Sequence, residues 1–367
     1  MESGFTSSPL FERVERARRR TKKIRETHIT LAHGSGGRAM HDLVEGLFLE
    51  YFKNPMLEKL EDQAIFEIPS GAKKLALTTD SYVVDPIFFP GGDIGCLAVH
   101  GTVNDLAVSG ARPLYLSAGF ILEEGLPIED LRKICASMQK AAEEANVQIV
   151  TGDTKVVQKG GADKIFINTA GVGVIETDAE ISASRAAVGD KVIVSGTIGD
   201  HGTTILIARG ELDLETDIES DSASLNFLIA EMLDEAAKAN ALDQIHCLRD
   251  PTRGGVATTL NEIALASNVY IEIKEDLVPA REEVKGACEI LGLDPLYVAN
   301  EGKLVAIVSA GIADKILERM RQNPLGQGAC VIGEVKAEPQ GIVSMTTGFG
   351  GTRIVDMLAG EQLPRIC

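Results

Sequence analysis

A chain of 367 residues with 44% hydrophobic side chains has enough apolar material for two packed cores. Tryptophan is absent, aromatics make up 4% and the net charge is −18, which excludes stacking platforms for single-stranded nucleic acid. So acidic a body repels phosphate, and any nucleotide it binds should arrive with a metal cation.

The first 28 residues carry a basic run (Arg13, Arg16, Arg18, Arg19, Arg20, Lys22, Lys23, Arg25) interleaved with Glu12, Glu15 and Glu26. A short run mixed with acids reads as a solvated, partly helical extension rather than a nucleic-acid or membrane arm. Folded sequence is expected from Ile29, leading into the glycine-rich His33-Gly34-Ser35-Gly36-Gly37 and a helix near Arg38. A strand is expected over Lys73 to Thr79, a helix over 93–109 closed by Gly110, and a strand from Pro113 to Leu122. The clearest helix is 128–146, where Ile128, Leu131, Ile134, Cys135, Met138, Ala141, Ala142 and Ala145 trace one face. A short strand, Val147 to Val150, then opens into a turn-like Thr151-Gly152-Asp153-Thr154-Lys155, and another strand spans Lys164 to Val174.

The polar segment from Glu176 to Gly189 marks a domain boundary. The expected division is an extension (1–28), an N-terminal domain (29–187), a C-terminal domain (188–335) and a terminal segment (336–367) with a flexible tail. Strands and helices alternate without a strict βαβ rhythm and no internal repeat is apparent, so the fold class is α+β, built as α/β sandwiches.

The common nucleotide and hydrolase motifs are missing: no G-x-x-x-x-G-K-[ST] loop, no G-x-G-x-x-G after a strand, no G-x-S-x-G elbow and no H-E-x-x-H. Instead four aspartates stand among small residues: Asp80 in T-T-D-S, Asp105 in V-N-D-L, Asp153 in T-G-D-T and Asp250 in R-D-P-T-R-G-G. Separated carboxylates with small neighbours suit Mg²⁺ bridging phosphate oxygens, although each alone reads equally as a cap or turn former. Asp105 is the most pointed, because a carboxylate inside an apolar helix needs a partner. His33 to Gly37 and the Arg253-Gly254-Gly255 turn offer backbone N–H groups for a phosphate, and Lys155 could reach a developing negative charge.

Of the six cysteines none forms C-x-x-C, no h-region opens the chain and no stretch is a membrane span, so free thiols in a reducing cytoplasm are expected. Five of them lie in apolar sequence, while Cys367 ends the chain after Pro364, Arg365 and Ile366. Gly348, Gly350 and Gly351 would let this arm swing. A terminal thiol on such an arm reads as a covalent carrier, a stray surface thiol or a single metal ligand.

Several stretches together resemble the HypE family of [NiFe]-hydrogenase maturation factors, within the PurM-like aminoimidazole ribonucleotide synthetase superfamily. They are H-G-S-G-G (33–37), T-T-D-S-Y-V-V-D-P-I-F-F-P-G-G-D-I-G (78–95), the helix around Asn104-Asp105, T-G-D-T-K-V-V (151–157), R-D-P-T-R-G-G (249–255), N-E-G-K (300–303) and G-G-T-R-I-V-D-M-L-A-G-E-Q-L-P-R-I-C (350–367). The aspartate motifs resemble the superfamily, and P-R-I-C resembles HypE in particular. The resemblance implies a homodimer formed through strands of the N-terminal domain, with ATP and Mg²⁺ between the two domains. It implies that a carbamoyl group on Cys367 becomes a thiocyanate, with Glu301 as base and Lys155 steadying the phosphorylated oxygen. Asp80, Asp105, Asp153 and Asp250 would hold Mg²⁺ and phosphate, joined by His33, Gly34, Ser35, Gly36, Gly37, Asn104, Thr154 and Arg253. The implied partners are a HypF-type carbamoyltransferase as donor and the HypC–HypD complex as acceptor; neither nucleic acid nor membrane is expected. Selenophosphate synthetases and thiamine-phosphate kinases share the aspartates, but the first carry a reactive cysteine near the glycine-rich region, absent from 33–37, and the second need no tail. A nucleotide-binding scaffold is the non-enzymatic alternative.

Overall fold

The computed structural model describes residues 24, 26–34, 38–59, 66–210, 212, 216–358 and 365–367. The basic extension and Ser35, Gly36 and Gly37 lie almost wholly or wholly outside these residues, as do 359–364 ahead of the C-terminus.

The N-terminal half is a four-stranded sheet with one face under two helices. Its strands are β1 (Lys74–Tyr82), β2 (Arg112–Glu123), β3 (Gln148–Val157) and β4 (Ile165–Ile175), in the order β1-β4-β2-β3. β4 runs antiparallel to both β1 and β2, and β2 and β3 are parallel. The helix α1 (Ile94–Val108) starts on Asp93, whose side chain accepts from the N–H groups of Gly95 and Cys96, and Gly110 follows its end at φ +80°. It is apolar nearly all round because it lies between the sheet and the second domain; among Ile94 to Ala107 only Cys96 and Asp105 are not fully buried. The amphipathic α2 (Ile128–Ala145) buries the face expected from its spacing.

One element is longer than its residues suggest. Thr151-Gly152-Asp153-Thr154-Lys155, read as a turn, lies inside β3, because pairing with Ser117 to Ile121 of β2 supplies hydrogen bonds that outweigh the turn preference of Gly and Asp.

The second sheet has seven strands: β5 (Lys191–Val194), β6 (Ile245–Arg249), β7 (Tyr270–Lys274), β8 (Val305–Val308), β9 (Cys330–Lys336), β10 (Ile342–Thr346) and β11 (Thr352–Ile354). Their order is β11-β10-β7-β9-β5-β8-β6. The boundary expected near 335 therefore falls inside this sheet, since β10 pairs with β7 and β11 with β10. Its helices include α3 (Asp200–Ala208), α4 (Asn226–Lys238) and α5 (Gly255–Ser267).

The halves share their cores. Ile205, Ala299 and Ile366 pack with the N-terminal cluster of Tyr82, Val84 and Leu97, while Ala107 of α1 packs with Leu225, Leu228 and Met232 of the second half. Among the described residues no helix is long and apolar enough to cross a membrane. All six cysteines are free; Cys135, Cys247 and Cys288 are buried, Cys96 and Cys330 only partly.

Candidate active site

The tail docks between the two halves. The N–H of Val83 donates to the carbonyl of Cys367 (3.1 Å) and that of Asp85 to Arg365 (3.2 Å), so Ile366 forms an antiparallel bridge with Val84. The Arg365 guanidinium meets Asp163 at 3.3 Å and Asp85 at 3.8 Å. Arg365, Ile366 and Cys367 thereby line a cavity of about 560 Å³ together with Thr79, Asp80, Ser81, Asn168 and Arg253.

The Cys367 thiol and the Glu301 carboxyl lie close enough to act on each other electrostatically. Burial, then the Glu301 charge, push the thiol well above its ordinary range, with Arg253 opposing. Glu301 is 3% exposed and its Oε1 has no protein hydrogen-bond partner. Its carboxyl is raised far above the usual range by burial, then by the charges of Asp221, Asp250 and Asp80. Burial and the neighbouring charges both favour the protonated form, and neutralising those charges opposes the second cause.

Three of the four aspartates converge. Asp80 lies near the end of β1 and Asp105 in the last turn of α1; the hydroxyl of Thr78, two residues before Asp80 on β1, donates to Asp105 at 2.8 Å. Asp250 follows the end of β6. Burial first and the Asp105 charge second raise it to about 7, with Asp80 adding to the repulsion. Burial also raises Asp105, which Thr78 opposes and Asp80 reinforces. Among the described residues no three acidic, His or Cys side chains close around a point as a metal cage would. Crowded, mutually repelling carboxylates without a cage fit a Mg²⁺ ion that takes one or two protein oxygens and completes its shell from phosphates and water.

Asp153 and Lys155 do not join this group within one chain. Register sets Asp153 opposite Gly119, Gly119 opposite Asn168 and Asn168 opposite Ser81, so Asp153 lies three strands away, at the other edge of the sheet. It is on the open face with Ser81, whereas Asp80 alternates onto the helix-covered face. Lys155 is exposed and 3.5 Å from Asp153. Thr154 is buried and points into a small cavity with Phe48, Phe52 and Phe120.

Asn104, expected on phosphate, is used otherwise: it donates to the carbonyl of Ala223 (3.0 Å) and accepts from the N–H of Leu225 (2.7 Å), clamping the two halves together. His33 is buried, and its Nδ1 accepts from the N–H and the hydroxyl of Thr30. Gly34 ends a short helical turn, and Ser35, Gly36 and Gly37 lie outside the described residues. Arg253 stands at the cavity, and the chain turns sharply after it through Gly254 and Gly255, both at positive φ; a Cβ on Gly255 would lie 2.4 Å from the Leu296 carbonyl.

Several residues that build the site carry no sequence signal of their own. Asn300 accepts from the N–H of Gly199 (2.8 Å) and donates to the carbonyl of Pro251 (2.8 Å), tying the Asp250 loop to the start of α3. Asp221 accepts from the N–H of Glu301 (3.0 Å) and pairs with Lys303 at 3.2 Å. A Cβ on Gly302 would lie 1.8 Å from the Asp221 carbonyl, so only glycine fits there. Asn168 donates to Thr79, to Ser81 and to the carbonyl of Asp80, fixing the end of β1. The sequence hint for Asn300 and Gly302 was N-E-G-K; Asp221 and Asn168 lie in none of the motifs.

The AIR synthase related protein N-terminal domain family matches residues 60–175, and the corresponding C-terminal domain family matches 187–346. "Carbamoyl dehydratase HypE" from Azotobacter vinelandii is 54% identical over 344 residues, covering 94% of this chain and 98% of its own. The chain belongs to the HypE family. A crystal structure of HypE in complex with ATP is similar at 53% identity and a TM-score of 0.86, covering 92% of this chain and 99% of that one. HypE in a HypE–HypF complex is similar at 49% identity and a TM-score of 0.74, covering 86% of this chain and 99% of its own.

Proposed function

We propose that the chain is an ATP-dependent carbamoyl dehydratase that carries its substrate on Cys367 and makes the cyanide ligand for [NiFe]-hydrogenase iron. The observation that carries this reading is the docked tail, which puts the thiol beside the buried Glu301 and at the edge of the three crowded aspartates. In the reaction the carbamoyl oxygen on Cys367 attacks the γ-phosphorus of ATP and ADP leaves. The carbon–nitrogen unit then loses its protons and the carbon–oxygen bond breaks, giving phosphate and S–C≡N.

Asp80, Asp105 and Asp250 would hold Mg²⁺, which supplies charge neutralisation to the phosphates when bound. Glu301 is placed to take the nitrogen proton. Neutralising Asp80 and Asp250 removes two of the three charges that add to burial in raising the Glu301 carboxyl, which favours the ionised form a general base needs. Arg253 faces the cavity as a phosphate contact.

A second copy would complete the site. Leu75, Leu77 and Ile121 are exposed on the open face of the N-terminal sheet, and Asp153 and Lys155 share that face. A homodimer packed there buries the leucines and can present one chain's Asp153 and Lys155 to the other's cavity. Lys155 then has the position to steady the phosphorylated oxygen. The carbamoyl donor is a HypF-type carbamoyltransferase and the cyanide acceptor a HypC–HypD complex, in a reducing cytoplasm where the six thiols stay free.

The test is intact mass after incubation with ATP, Mg²⁺, carbamoyl phosphate and a HypF-type donor. The chain should gain one carbamoyl group and, with ATP hydrolysis, lose one water. Cys367→Ala should show neither change while retaining ATP binding. A carbamoyl group appearing on another cysteine in Cys367→Ala would refute the carrier assignment.

A further inference from the structure

The tail is held by more than its strand-like bridge. Ile366 is 2% exposed, with its side chain among Tyr82, Val84, Ile205 and Ala299. Its carbonyl lies 2.7 Å from Nε2 of His201, in the first turn of α3. His201 is completely buried, and its Nδ1 is 2.8 Å from the Ser220 hydroxyl. That hydroxyl oxygen already accepts from the N–H of Ser222 (3.1 Å), so its own hydrogen is free to point at Nδ1. The imidazole is thereby fixed as the Nε2–H tautomer, the one that donates to the tail. Two turns further along the chain, Arg209 donates to the carbonyls of Asp85 and Arg365, the two residues flanking the Val84–Ile366 bridge.

Ser220 is itself anchored, its N–H donating to the carbonyl of Pro90 (2.9 Å). The next residue, Asp221, accepts from the N–H of Glu301. One segment of the second domain thus sets both the imidazole that grips the tail and the backbone of the carboxyl that faces its sulfur.

We propose that His201, oriented by Ser220, is a positioning residue that latches the C-terminal tail in the site and sets how long Cys367 stays beside Glu301. The latch serves the carrier role given above, but its existence does not depend on that chemistry. It is therefore tested without ATP, Mg²⁺ or a carbamoyl donor.

The measurement is the rate of alkylation of Cys367 by iodoacetamide in the full chain, resolved from the other cysteines by peptide mass. A buried hydrogen bond contributes about 1 kcal/mol, so His201→Ala should alkylate about five- to tenfold faster than the parent. Ser220→Ala should quicken the reaction by a smaller factor. His201→Gln, whose amide N–H can reach the Ile366 carbonyl, should stay within about twofold of the parent. Cys135 and Cys247, both fully buried, report the fold: if His201→Ala exposes them, Ser220→Ala, with its milder change, carries the test. Parent-like rates in the folded variants, or a His201→Gln rate equal to that of His201→Ala, would overturn the latch. Failure of Cys367 to accept a carbamoyl group would leave these rates unchanged and would count only against the carrier reading.

Discussion

Asp250→Asn separates electrostatic strain from chemistry. Burial and then Asp105 raise the Asp250 carboxyl from 3.8 to about 7. A carboxyl with a folded pKa above its unfolded value binds more protons in the native state, so stability falls as pH rises from about 4, and the penalty is complete above about 7. Three units correspond to about 4 kcal/mol. Burial supplies the largest part of that penalty and repulsion from Asp105 and Asp80 adds to it, so removing the charge while keeping a buried polar group should recover roughly half, about 2 kcal/mol. Asparagine keeps the shape and removes the charge. Without nucleotide or divalent cation, the variant should melt a few degrees above the parent at pH 8, and the two should converge near pH 4. Thermal unfolding across pH 4 to 8.5 at fixed ionic strength measures both. The same variant should lose most of the extra stability that Mg²⁺-ATP gives the parent. A variant less stable than the parent at pH 8, or a parallel pair of pH profiles, would mean that the three aspartates do not repel one another, and the metal–phosphate assignment would lose its basis.

Asp80→Asn and Asp105→Asn should each weaken stabilisation by Mg²⁺-ATP in the same thermal assay, and parent-like stabilisation in both would remove them from the nucleotide site. Light scattering at micromolar concentration should give the mass of a dimer, and Leu77→Glu on the open sheet face should shift it toward monomer; a parent that is monomeric contradicts the shared site. Glu301→Gln should accept the carbamoyl group normally but lose water slower by a factor on the order of 10² or more, followed by intact mass against time. Dehydration at the parent rate would send the search for the base elsewhere.

Much of the fold was legible because its signals are local. The face of α2, the cap at Asp93 and the glycine after α1 are set by spacing and by single residues. β3 was not, since its extension through Thr151 to Lys155 depends on a partner strand more than thirty residues earlier. The site was half legible for the same reason. Asp80, Asp105, Asp250, Glu301 and Cys367 sit in motifs and do converge. Asp153 and Lys155 sit in an equally clear motif, yet strand alternation and sheet order carry them to the far edge. The resemblance implied Asn104 as a phosphate contact beside Asp105, but a helix turns successive residues by about 100°. Asp105 therefore faces Thr78 while Asn104 faces the second domain. His201, Ser220 and Asp221 had no motif at all: His201 gains its role where the tail, 165 residues later at Ile366, folds back onto it, Ser220 by orienting His201, and Asp221 by accepting from Glu301, 80 residues later.

The docked tail also explains why a carrier should be mobile. Beside Glu301 the thiol is held protonated, because burial and a facing carboxyl both oppose the thiolate. A protonated thiol is a poor acceptor for an acyl or carbamoyl group, since the thiolate is the nucleophile. Loading therefore belongs to a place where the sulfur is solvated or faces a cation, outside this pocket. Once the sulfur carries a carbamoyl group it has no proton to lose and the same pocket stops being hostile. On that reading burial would shield a phosphorylated intermediate from water, and Glu301 would be the carboxyl to receive the nitrogen proton. If Cys367 is the carrier proposed above, the pocket disfavours its free thiolate and suits the loaded sulfur, so loading and dehydration would call for different surroundings of the same tail.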